Sequence, residues 1–356
     1  MCQSCSLPLD SGQTEAFQGR MLEIINGGAT MLLCSVGHRV GLFDAMATLP
    51  PATSREIAVA AECDERYVRE WLGGMVAAKI VTVDHEARYA LPPEHAALLT
   101  RAAGSDNLAN PTQFLAVLGG VEDAIVECFR EGGGVPYSAF PRFHEVMRSE
   151  SDLTVVGALE DSIIPLVPGL RGRLEKGIDV LDVGCGSGHA LLHLAELFPR
   201  SRFRGVDISE EGIGHARQVA KSRGLTNLTF ALEDATAFTG SYDLITAFDA
   251  IHDQAAPDQV LARIATQLSE GGVFLMQDIR ASSDPAKNVD HPLGAFLYTI
   301  SAFHCMSVSL AAGGMGLGAM WGEERAGVML AVAGFNEVTV KQLPHDAMNS
   351  YTIARR

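Results

Sequence analysis

Residues 178–188 read Ile178-Asp-Val-Leu-Asp-Val-Gly-Cys-Gly-Ser-Gly188, and this stretch decides the fold of the chain. It begins as an apolar run of strand length and ends in glycines at every second position, and an amphipathic segment with helical spacing follows at 190–198. A buried strand, a glycine turn and a helix form the unit by which a doubly wound sheet places a ligand at the carboxyl ends of its strands. Glycine lets the backbone approach that ligand closely, and the first turn of the helix offers free N–H groups.

The C-terminal half of the chain predicts a sheet built around this first strand. Six further apolar or alternating runs of strand length occur at 203–208, 228–232, 242–248, 273–278, 338–342 and 350–353. Only a short loop separates the last two runs, so we expect them to pair as an antiparallel hairpin beside otherwise parallel strands. The predicted fold class is therefore α/β, with a doubly wound, seven-stranded, Rossmann-like sheet whose last strand is reversed.

The N-terminal half predicts an α-rich winged-helix domain at residues 20–100. Thr53 and Glu56 have the spacing of a capping box at a helix start, and residues 64–79 have the periodicity of an amphipathic helix. Alternating residues near 80–91 then indicate a hairpin. The other predicted parts are a flexible tail at 1–19, a helical connector and substrate cap at 101–172, and a catalytic domain at 173–356 with a lid insertion at 279–322.

Charge argues against a nucleic-acid partner. The net charge is −16, and residues 1–150 hold eleven Lys and Arg against nineteen Asp and Glu. A winged-helix DNA reader gains affinity by displacing phosphate counterions, which requires a basic surface. We therefore expect a dimerisation and substrate-capping module, and a ligand-responsive transcriptional regulator is the alternative. The apolar residues of 21–46 suggest a homodimer.

Cysteine usage and hydropathy favour a cytoplasmic protein with no membrane partner. Residues 1–19 lack the apolar centre of a signal peptide, and no apolar run reaches the roughly 20 residues that span a bilayer. The seven cysteines are scattered through the chain. Cys2 and Cys5 have CxxC spacing, but no second pair completes a zinc site. No metal is expected.

The glycine spacing separates two kinds of cofactor. Gly184, Gly186 and Gly188 do not fit G-x-G-x-x-G, because His189 stands where the dinucleotide pattern needs its third glycine. An NAD-dependent oxidoreductase is therefore the weaker interpretation. An acid precedes the turn, Asp207 closes the second strand, and the acidic pair 233–234 follows the third.

With these residues, 178–278 resembles the catalytic domain of class I S-adenosylmethionine-dependent methyltransferases. The terminal hairpin is similar to the reversed last strand of that fold. Together with the winged-helix domain, the chain resembles small-molecule O-methyltransferases and bacterial winged-helix methyltransferases.

The resemblance implies a site for S-adenosylmethionine as cofactor. In that family the glycine turn lines the methionine part of the cofactor. Asp207 would accept the ribose hydroxyls, and Asp234 would accept from the adenine amine. The implied cofactor-binding residues are Asp182, Gly184, Gly186, Gly188, Asp207, Asp234, Ala235 and Asp249.

The catalytic residues are expected just after the fourth strand. Residues 251–258 read Ile-His-Asp-Gln-Ala-Ala-Pro-Asp and resemble the Leu-His-Asp-Trp-x-Asp motif of O-methyltransferases, whose His is the base. This makes His252 the candidate base, with Asp253 orienting its imidazole. Gln254 replaces the family's Trp, so a cofactor- or pocket-binding role and a purely structural role for His252 stay open.

The acceptor pocket is expected to involve two segments. Phe143-x-x-x-Met147 resembles a segment that closes over cofactor and substrate in O-methyltransferases, and the Gly- and Met-rich stretch 291–321 suits a lid over an apolar molecule. The predicted pocket residues are Tyr137, Phe143, His144, Met147, Phe303, His304, Met306 and Trp321. The expected function is methyl transfer to a small apolar or aromatic molecule. Oxygen is the favoured acceptor atom, and nitrogen or carbon is the alternative.

Overall fold

The computed structural model describes residues 9–356, so Cys2 and Cys5 lie outside the described residues. The chain divides into two compact units between Ala116 and Val117. This division falls inside the segment 101–172, so the separate roles predicted for the connector and its neighbours stay predictions.

The first unit is helical with a small wing. Its elements are α1 (Ser11–Arg39), α2 (Leu42–Thr48), α3 (Ser54–Ala60), α4 (Glu65–Ala77), β1 (Thr82–Val83), β2 (Tyr89–Ala90) and α5 (Pro93–Leu99), and α6 (Gln113–Gly119) crosses into the second unit. The predicted capping box is present at α3, where Thr53 and Glu56 bond each other's backbone N–H. The strands β1 and β2 pair antiparallel and form the wing.

The core of this unit forms around Trp71 of α4. Its indole N–H donates to the Leu33 carbonyl at 2.8 Å, and its ring meets Phe43 edge-on at a centroid distance of 5.3 Å. Gly37 is required here, because a Cβ at that position would lie 2.6 Å from the indole. Helices α1, α2 and α4 are therefore held by one buried aromatic residue.

The expectation of a flexible tail at residues 1–19 is wrong for its described part. Helix α1 already begins at Ser11, where the Asp10 carboxylate caps it by accepting from the backbone N–H of Gly12 and Gln13. The sequence-based expectation failed because residues 10–15 are all polar or glycine, so no apolar periodicity marks the start of the helix. Capping and helix propensity extend this helix without burial.

The second unit contains the sheet. Its helices are α7 (Glu122–Glu131), α8 (Phe143–Thr154), α9 (Leu170–Lys176), α10 (His189–Leu197), α11 (Glu210–Ser222), α12 (Pro257–Gln267), α13 (Gly294–Ile300), α14 (Met306–Ala311) and α15 (Glu323–Ala333). Its strands are β3 (Asp179–Val183), β4 (Arg202–Asp207), β5 (Leu228–Leu232), β6 (Tyr242–Phe248), β7 (Leu268–Ile279), β8 (Glu337–Lys341) and β9 (Asn349–Arg355).

The sheet order is β5-β4-β3-β6-β7-β9-β8, and it confirms the predicted fold class. The five neighbouring strands β5, β4, β3, β6 and β7 run parallel to one another, whereas β9 pairs antiparallel with both β7 and β8. The order reverses at β3, because β4 and β5 lie on one side of it and β6 and β7 lie on the other. A doubly wound sheet binds its ligand at such a switch point, beyond the carboxyl ends of the strands.

The predicted helical connector does not continue as one regular helix up to the first strand of the sheet. Residues 156–166 form three short helical turns of 3-10 and π type, and α9 begins only after Gly169, which has a φ of 77°. Pro165 and Pro168 lack the N–H that would continue an α-helix. Buried Leu159, Ile163 and Ile164 nevertheless pack into the main core.

The segment 279–322 is mostly helical and is anchored to its surroundings. Between α13 and α14, residues Ser301–Cys305 form one π-helical turn, closed by the Met306 N–H to the Ser301 carbonyl. Ser309 Oγ donates to the Gln254 carbonyl at 2.8 Å, and a Cβ on Gly314 would lie 2.4 Å from Ala255 Cα. Its role as a lid stays a prediction.

Among the described residues, one helical run is long and apolar enough to cross a bilayer. This run, Gly294–Ala311, is 44% buried inside the protein, and core helices of soluble proteins meet the same criterion. A second run would count only if 143–166 and 170–176, bent by 108°, formed one span.

Candidate active site

The glycine turn after β3 is held by backbone hydrogen bonds. The N–H groups of Gly184 and Cys185 both donate to the Val206 carbonyl, at 2.9 and 3.1 Å. The Gly186 N–H donates to Asp207 Oδ2 at 2.8 Å, and the Ser209 N–H donates to Asp207 Oδ1 at 2.7 Å. Asp207 therefore joins the turn to the end of β4, and each of its oxygens keeps a further lone pair for a ligand.

The glycines of this turn meet different surroundings. A Cβ on Gly188 would lie 2.4 Å from the Phe230 ring, and a Cβ on Gly184 would lie 2.5 Å from the Ala250 Cβ. A Cβ on Gly186 would meet nothing within 4 Å, although its φ of 52° also favours glycine. Packing thus explains two of the glycines, whereas Gly186 faces open space.

Asp182 lies beneath the turn and is 3% exposed. Burial raises its pKa to about 7, against the opposing effect of a 2.7 Å hydrogen bond from the Thr246 hydroxyl. Asp234 lies beyond β5 in a more open position. Its Oδ1 accepts from the Thr236 hydroxyl and N–H, which lower its pKa, and Ala235 beside it is buried.

His252 follows β6 and is 2% exposed. Its Nδ1 lies 2.8 Å from Asp278 Oδ1, at the end of β7, and since a carboxylate only accepts, the imidazole donates from Nδ1. The Trp321 indole N–H and the Ile279 N–H donate to the same oxygen at 3.1 and 2.8 Å. The orienting role assigned to Asp253 from the sequence therefore falls to Asp278.

The environment of His252 favours its charged form. Burial by itself lowers the pKa of His252, but the carboxylate of Asp278, with a hydrogen bond to it, outweighs burial and holds the pKa well above its usual value. The Cys305 thiol also hydrogen-bonds to the imidazole. Burial raises the pKa of that thiol, so it stays protonated.

Two further carboxyl groups lie beside this pair. Burial raises the pKa of Asp249 to about 6 and that of Asp253 to about 7, with His252 opposing both shifts. Asp249 has a φ of 54°, and its Oδ1 has no hydrogen-bond partner among the described residues. The carboxyl edge of the sheet thus carries half-buried acids, Asp249 and Asp253, that are only partly exposed to water.

Asp249, His252 and Asp278 offer ligand atoms within 4.8 Å of one another, as a metal site would. Asp278 Oδ1 already accepts from three N–H donors, whereas its Oδ2 has no hydrogen-bond partner within residues 9–356. The expectation that no metal is needed stays a prediction.

An aromatic cluster lies near these acids and brings together four of the predicted pocket residues. The His304 ring stacks on Phe143 at a centroid distance of 3.5 Å and an interplanar angle of 10°. Tyr137 meets His304 edge-on at 4.9 Å and lies 4.7 Å from His144. His144 Nε2 lies 3.5 Å from Ser209 Oγ, which places this cluster beside the Asp207 loop.

The other predicted pocket residues are placed less centrally. Met147 lies on α8, half-buried, one turn beyond Phe143, and Phe303 is half-buried in the π-helical turn. Met306 begins α14 and lies against Gly318. Trp321 donates to Asp278 and therefore helps to hold the carboxylate that orients His252.

Three residues of the site were missed from the sequence. Phe140 meets His304 edge-on at 4.8 Å, Cys305 contacts His252, and Asp278 orients it. Asp278 carried a readable signal, because it is an acid at the end of a strand, as Asp207 is. The sequence contained no signal that marked Phe140 or Cys305 themselves as part of the site, although residues next to them were predicted.

Comparison with known families agrees with this architecture and defines the class. Residues 28–101 match the Rv2258c-like winged HTH domain, and residues 174–302 match a methyltransferase domain. The chain thus has the fold of a class I methyltransferase with an N-terminal winged-helix domain, as its sequence predicted.

Curated relatives resemble part of the chain in sequence, and solved structures resemble nearly all of it in fold. A fatty-acid O-methyltransferase of Mycolicibacterium smegmatis is 29% identical over 31% of this chain and 40% of its own. A trans-aconitate 2-methyltransferase of Deinococcus radiodurans is 35% identical over the same shares. The chain thus covers less than half the length of these curated relatives.

Solved structures share the whole fold at low identity. The mitomycin 7-O-methyltransferase MmcR has a TM-score of 0.69 at 16% identity, covering 98% of this chain and 100% of its own. Human N-acetylserotonin methyltransferase, solved with S-adenosylmethionine, has a TM-score of 0.65 at 18% identity, covering 95% and 97%.

Proposed function

We propose that this protein is an S-adenosylmethionine-dependent methyltransferase that acts on a small apolar or aromatic molecule, with oxygen as the favoured acceptor atom. The observation that carries the proposal is the buried His252–Asp278 pair, which lies at the same sheet edge as the glycine turn. The O-methyltransferases of similar fold support it.

The residues present fit the methyl donor. S-adenosylmethionine carries a sulfonium and an ammonium group. Burial raises the pKa values of Asp182, Asp249 and Asp253 by more than their partners Thr246 and His252 lower them. A cationic ligand would stabilise their ionised forms. We propose that these acids and the Gly184–Gly188 turn hold its methionine part, that Asp207 holds its ribose, and that Asp234 and Ala235 hold its adenine.

The chemical tasks are then divided between the methyl donor and the protein. Bound S-adenosylmethionine supplies an electrophilic methyl group. The protein aligns an acceptor with it and removes the acceptor proton. Asp278 fixes the imidazole by accepting from Nδ1, so the second ring nitrogen of His252 takes that proton. Positive charge arriving beside His252 disfavours the imidazolium, so donor binding prepares the base.

The base favours an oxygen acceptor. A hydroxyl must lose a proton to become a strong nucleophile, whereas a neutral amine attacks without prior deprotonation. A buried imidazole held by a carboxylate is arranged for the first task. Transfer to nitrogen or carbon remains the second candidate, because Gln254 departs from the O-methyltransferase motif.

Titration calorimetry separates this proposal from its rivals. S-adenosylmethionine should bind at about one site per chain, and NADH should give no heat. Binding of NADH alone would instead support an oxidoreductase. A screen of small hydroxylated aromatic compounds, with S-adenosylhomocysteine release as the readout, then identifies acceptors.

We further propose that the protein acts in the cytoplasm without a nucleic-acid partner. On α4, the helix that would read DNA, Arg66 pairs with Glu70 and Arg69 pairs with Glu65. Both arginines are therefore partly neutralised before any phosphate arrives. Retention of the protein on a DNA column at physiological salt would contradict this and favour the regulator.

Homodimer formation is proposed from the exposed residues of α1. Phe17, Leu22, Ile24 and Ile25 are all at least half exposed, and such a row on one helix is rarely left in water. Light scattering should give twice the chain mass, and a chain mass would refute it.

A further inference from the structure

His304 is a buried histidine that forms no hydrogen bond with any described residue. It is 1% exposed, and neither Nδ1 nor Nε2 has a partner within residues 9–356. A buried polar atom left unpaired costs free energy, so most proteins avoid it. Such atoms in a binding region indicate that a ligand completes the hydrogen bonds.

The ring is fixed in place by its neighbours. Phe143 stacks on its face at 3.5 Å, and Phe140 and Tyr137 meet it edge-on at 4.8 and 4.9 Å. The imidazole cannot turn to find another partner without breaking these contacts. Its position is thus set by packing, as in a preorganised binding site.

The same surroundings keep the imidazole neutral. Burial, with smaller contributions from His252 and His144, lowers the pKa of His304 to about 3. A neutral imidazole has one N–H donor and one nitrogen acceptor. It therefore suits an uncharged polar group and offers no positive charge to an anion.

The charges near the cluster also disfavour an anionic acceptor. Burial raises the pKa of Tyr137, which contacts His304, well above the usual value, and the carboxylates of Asp253, Asp207 and Asp249 raise it further. In the proposed function the positive charge of the methyl donor matches these acids. A second anion from the acceptor would have no partner there.

We propose that His304 is an acceptor-binding residue that determines specificity, and this inference rests on the proposed function. Stacked on Phe143 with both nitrogens unpaired, it selects an uncharged aromatic acceptor that carries one neutral polar group besides the atom to be methylated.

Three matched probes test this selection: 2,3-dihydroxynaphthalene, 2-naphthol and 3-hydroxy-2-naphthoate. They share one ring system and differ in the group beside the hydroxyl: a second hydroxyl, hydrogen or carboxylate. Their dissociation constants are measured by calorimetry on the full chain saturated with S-adenosylhomocysteine. The diol should bind about tenfold more tightly than either other probe, as one added neutral hydrogen bond predicts.

Two variants assign the preference to His304. His304→Phe keeps the flat ring on Phe143 but removes both nitrogens, so the tenfold preference should disappear while the melting temperature stays equal or rises. His304→Gln keeps a donor and an acceptor and should retain part of the preference. Phe140→Leu is the matched control, since it changes the same cluster without removing a polar atom and should leave the ratio of dissociation constants intact.

The outcomes are separable from those of the proposed function. Equal binding of the three probes to the natural protein, or an unchanged preference in His304→Phe, would overturn the role of His304. Failure of S-adenosylmethionine to bind the natural protein would overturn the methyltransferase proposal instead.

Discussion

The proposed donor and acceptor sides of the site are built by different means. On the donor side, the turn 184–188 is held by hydrogen bonds from the backbone N–H groups of Gly184, Cys185, Gly186 and Gly188. On the acceptor side, aromatic side chains from two distant segments surround a histidine whose nitrogens have no hydrogen-bond partner among the described residues. Backbone architecture suits a ligand common to many enzymes, whereas side chains can vary with the acceptor. The comparison suggests that the donor site is general and the acceptor site individual.

The largest effect on turnover is expected at His252, which lies between the proposed donor and acceptor sides. His252→Ala should reduce turnover by about 100- to 10,000-fold, because it removes the proposed base, while donor affinity stays nearly constant. Turnover and calorimetry on the same preparation measure both quantities. Full turnover in this variant would remove the base assignment and make nitrogen or carbon the better acceptor.

A smaller effect on turnover distinguishes Asp278 from Asp253 as the partner of the His252 imidazole. Asp278→Asn should lower turnover by about ten- to hundredfold, since it removes a charged hydrogen-bond acceptor from His252 Nδ1. It should also shift the pH profile of turnover to lower pH, because the pKa of the imidazole falls without the carboxylate. Asp253→Asn is the control and should move this profile less. The opposite ranking would restore the sequence-based role of Asp253.

The donor side can be tested with two glycines that differ in position alone. Gly186 and Gly224 both have positive φ, 52° and 69°, and a Cβ at either meets nothing within 4 Å. Replacement by Ala should lower the free energy of unfolding by about 1–2 kcal/mol in both cases. Only Gly186→Ala should also weaken S-adenosylmethionine binding. Equal donor affinity in both variants would mean that the ligand does not approach the turn at Gly186.

The smallest effect is a pH dependence of donor binding. The pKa values of Asp182, Asp249 and Asp253 are raised from 3.8 to about 7, 6 and 7, so these groups lose protons as pH rises from about 5.5 to 8. Their charges attract the cationic donor, so its dissociation constant should fall over this range. Calorimetry across pH measures it, and Asp182→Asn should flatten the curve.

The same shifts act on stability with the opposite sign. A carboxyl whose folded-state pKa lies above its unfolded value contributes stability at low pH, and this contribution is lost as pH rises through the folded-state pKa. The unfolding free energy of the ligand-free protein should therefore fall between about pH 4 and 7. Saturation with the donor should reduce that fall, and a parallel fall with donor present would contradict the placement of these acids.

The contrast between the two sides also explains what the sequence could predict. Strand, glycine turn and the acid at position 207 follow one another within thirty residues, so local pattern suffices for the donor side. The pairing of His252 with Asp278 joins the ends of two neighbouring strands, and the adjacent Asp253 was the natural but incorrect choice. The stacking of His304 on Phe143 depends on packing between segments 161 residues apart in the chain, which periodicity does not reveal.

The π-helical turn at Ser301–Cys305 has a consequence for how the acceptor side can change. Such a turn holds one residue more than the α-helical turn it replaces, and it is often found at functional sites. Removing one residue there would rotate the following helix by about 100° relative to the preceding one. His304 and Cys305 would then point away from Phe143 and His252. The phase of one helix therefore sets acceptor recognition, so a single insertion or deletion could alter it while leaving the donor site unchanged.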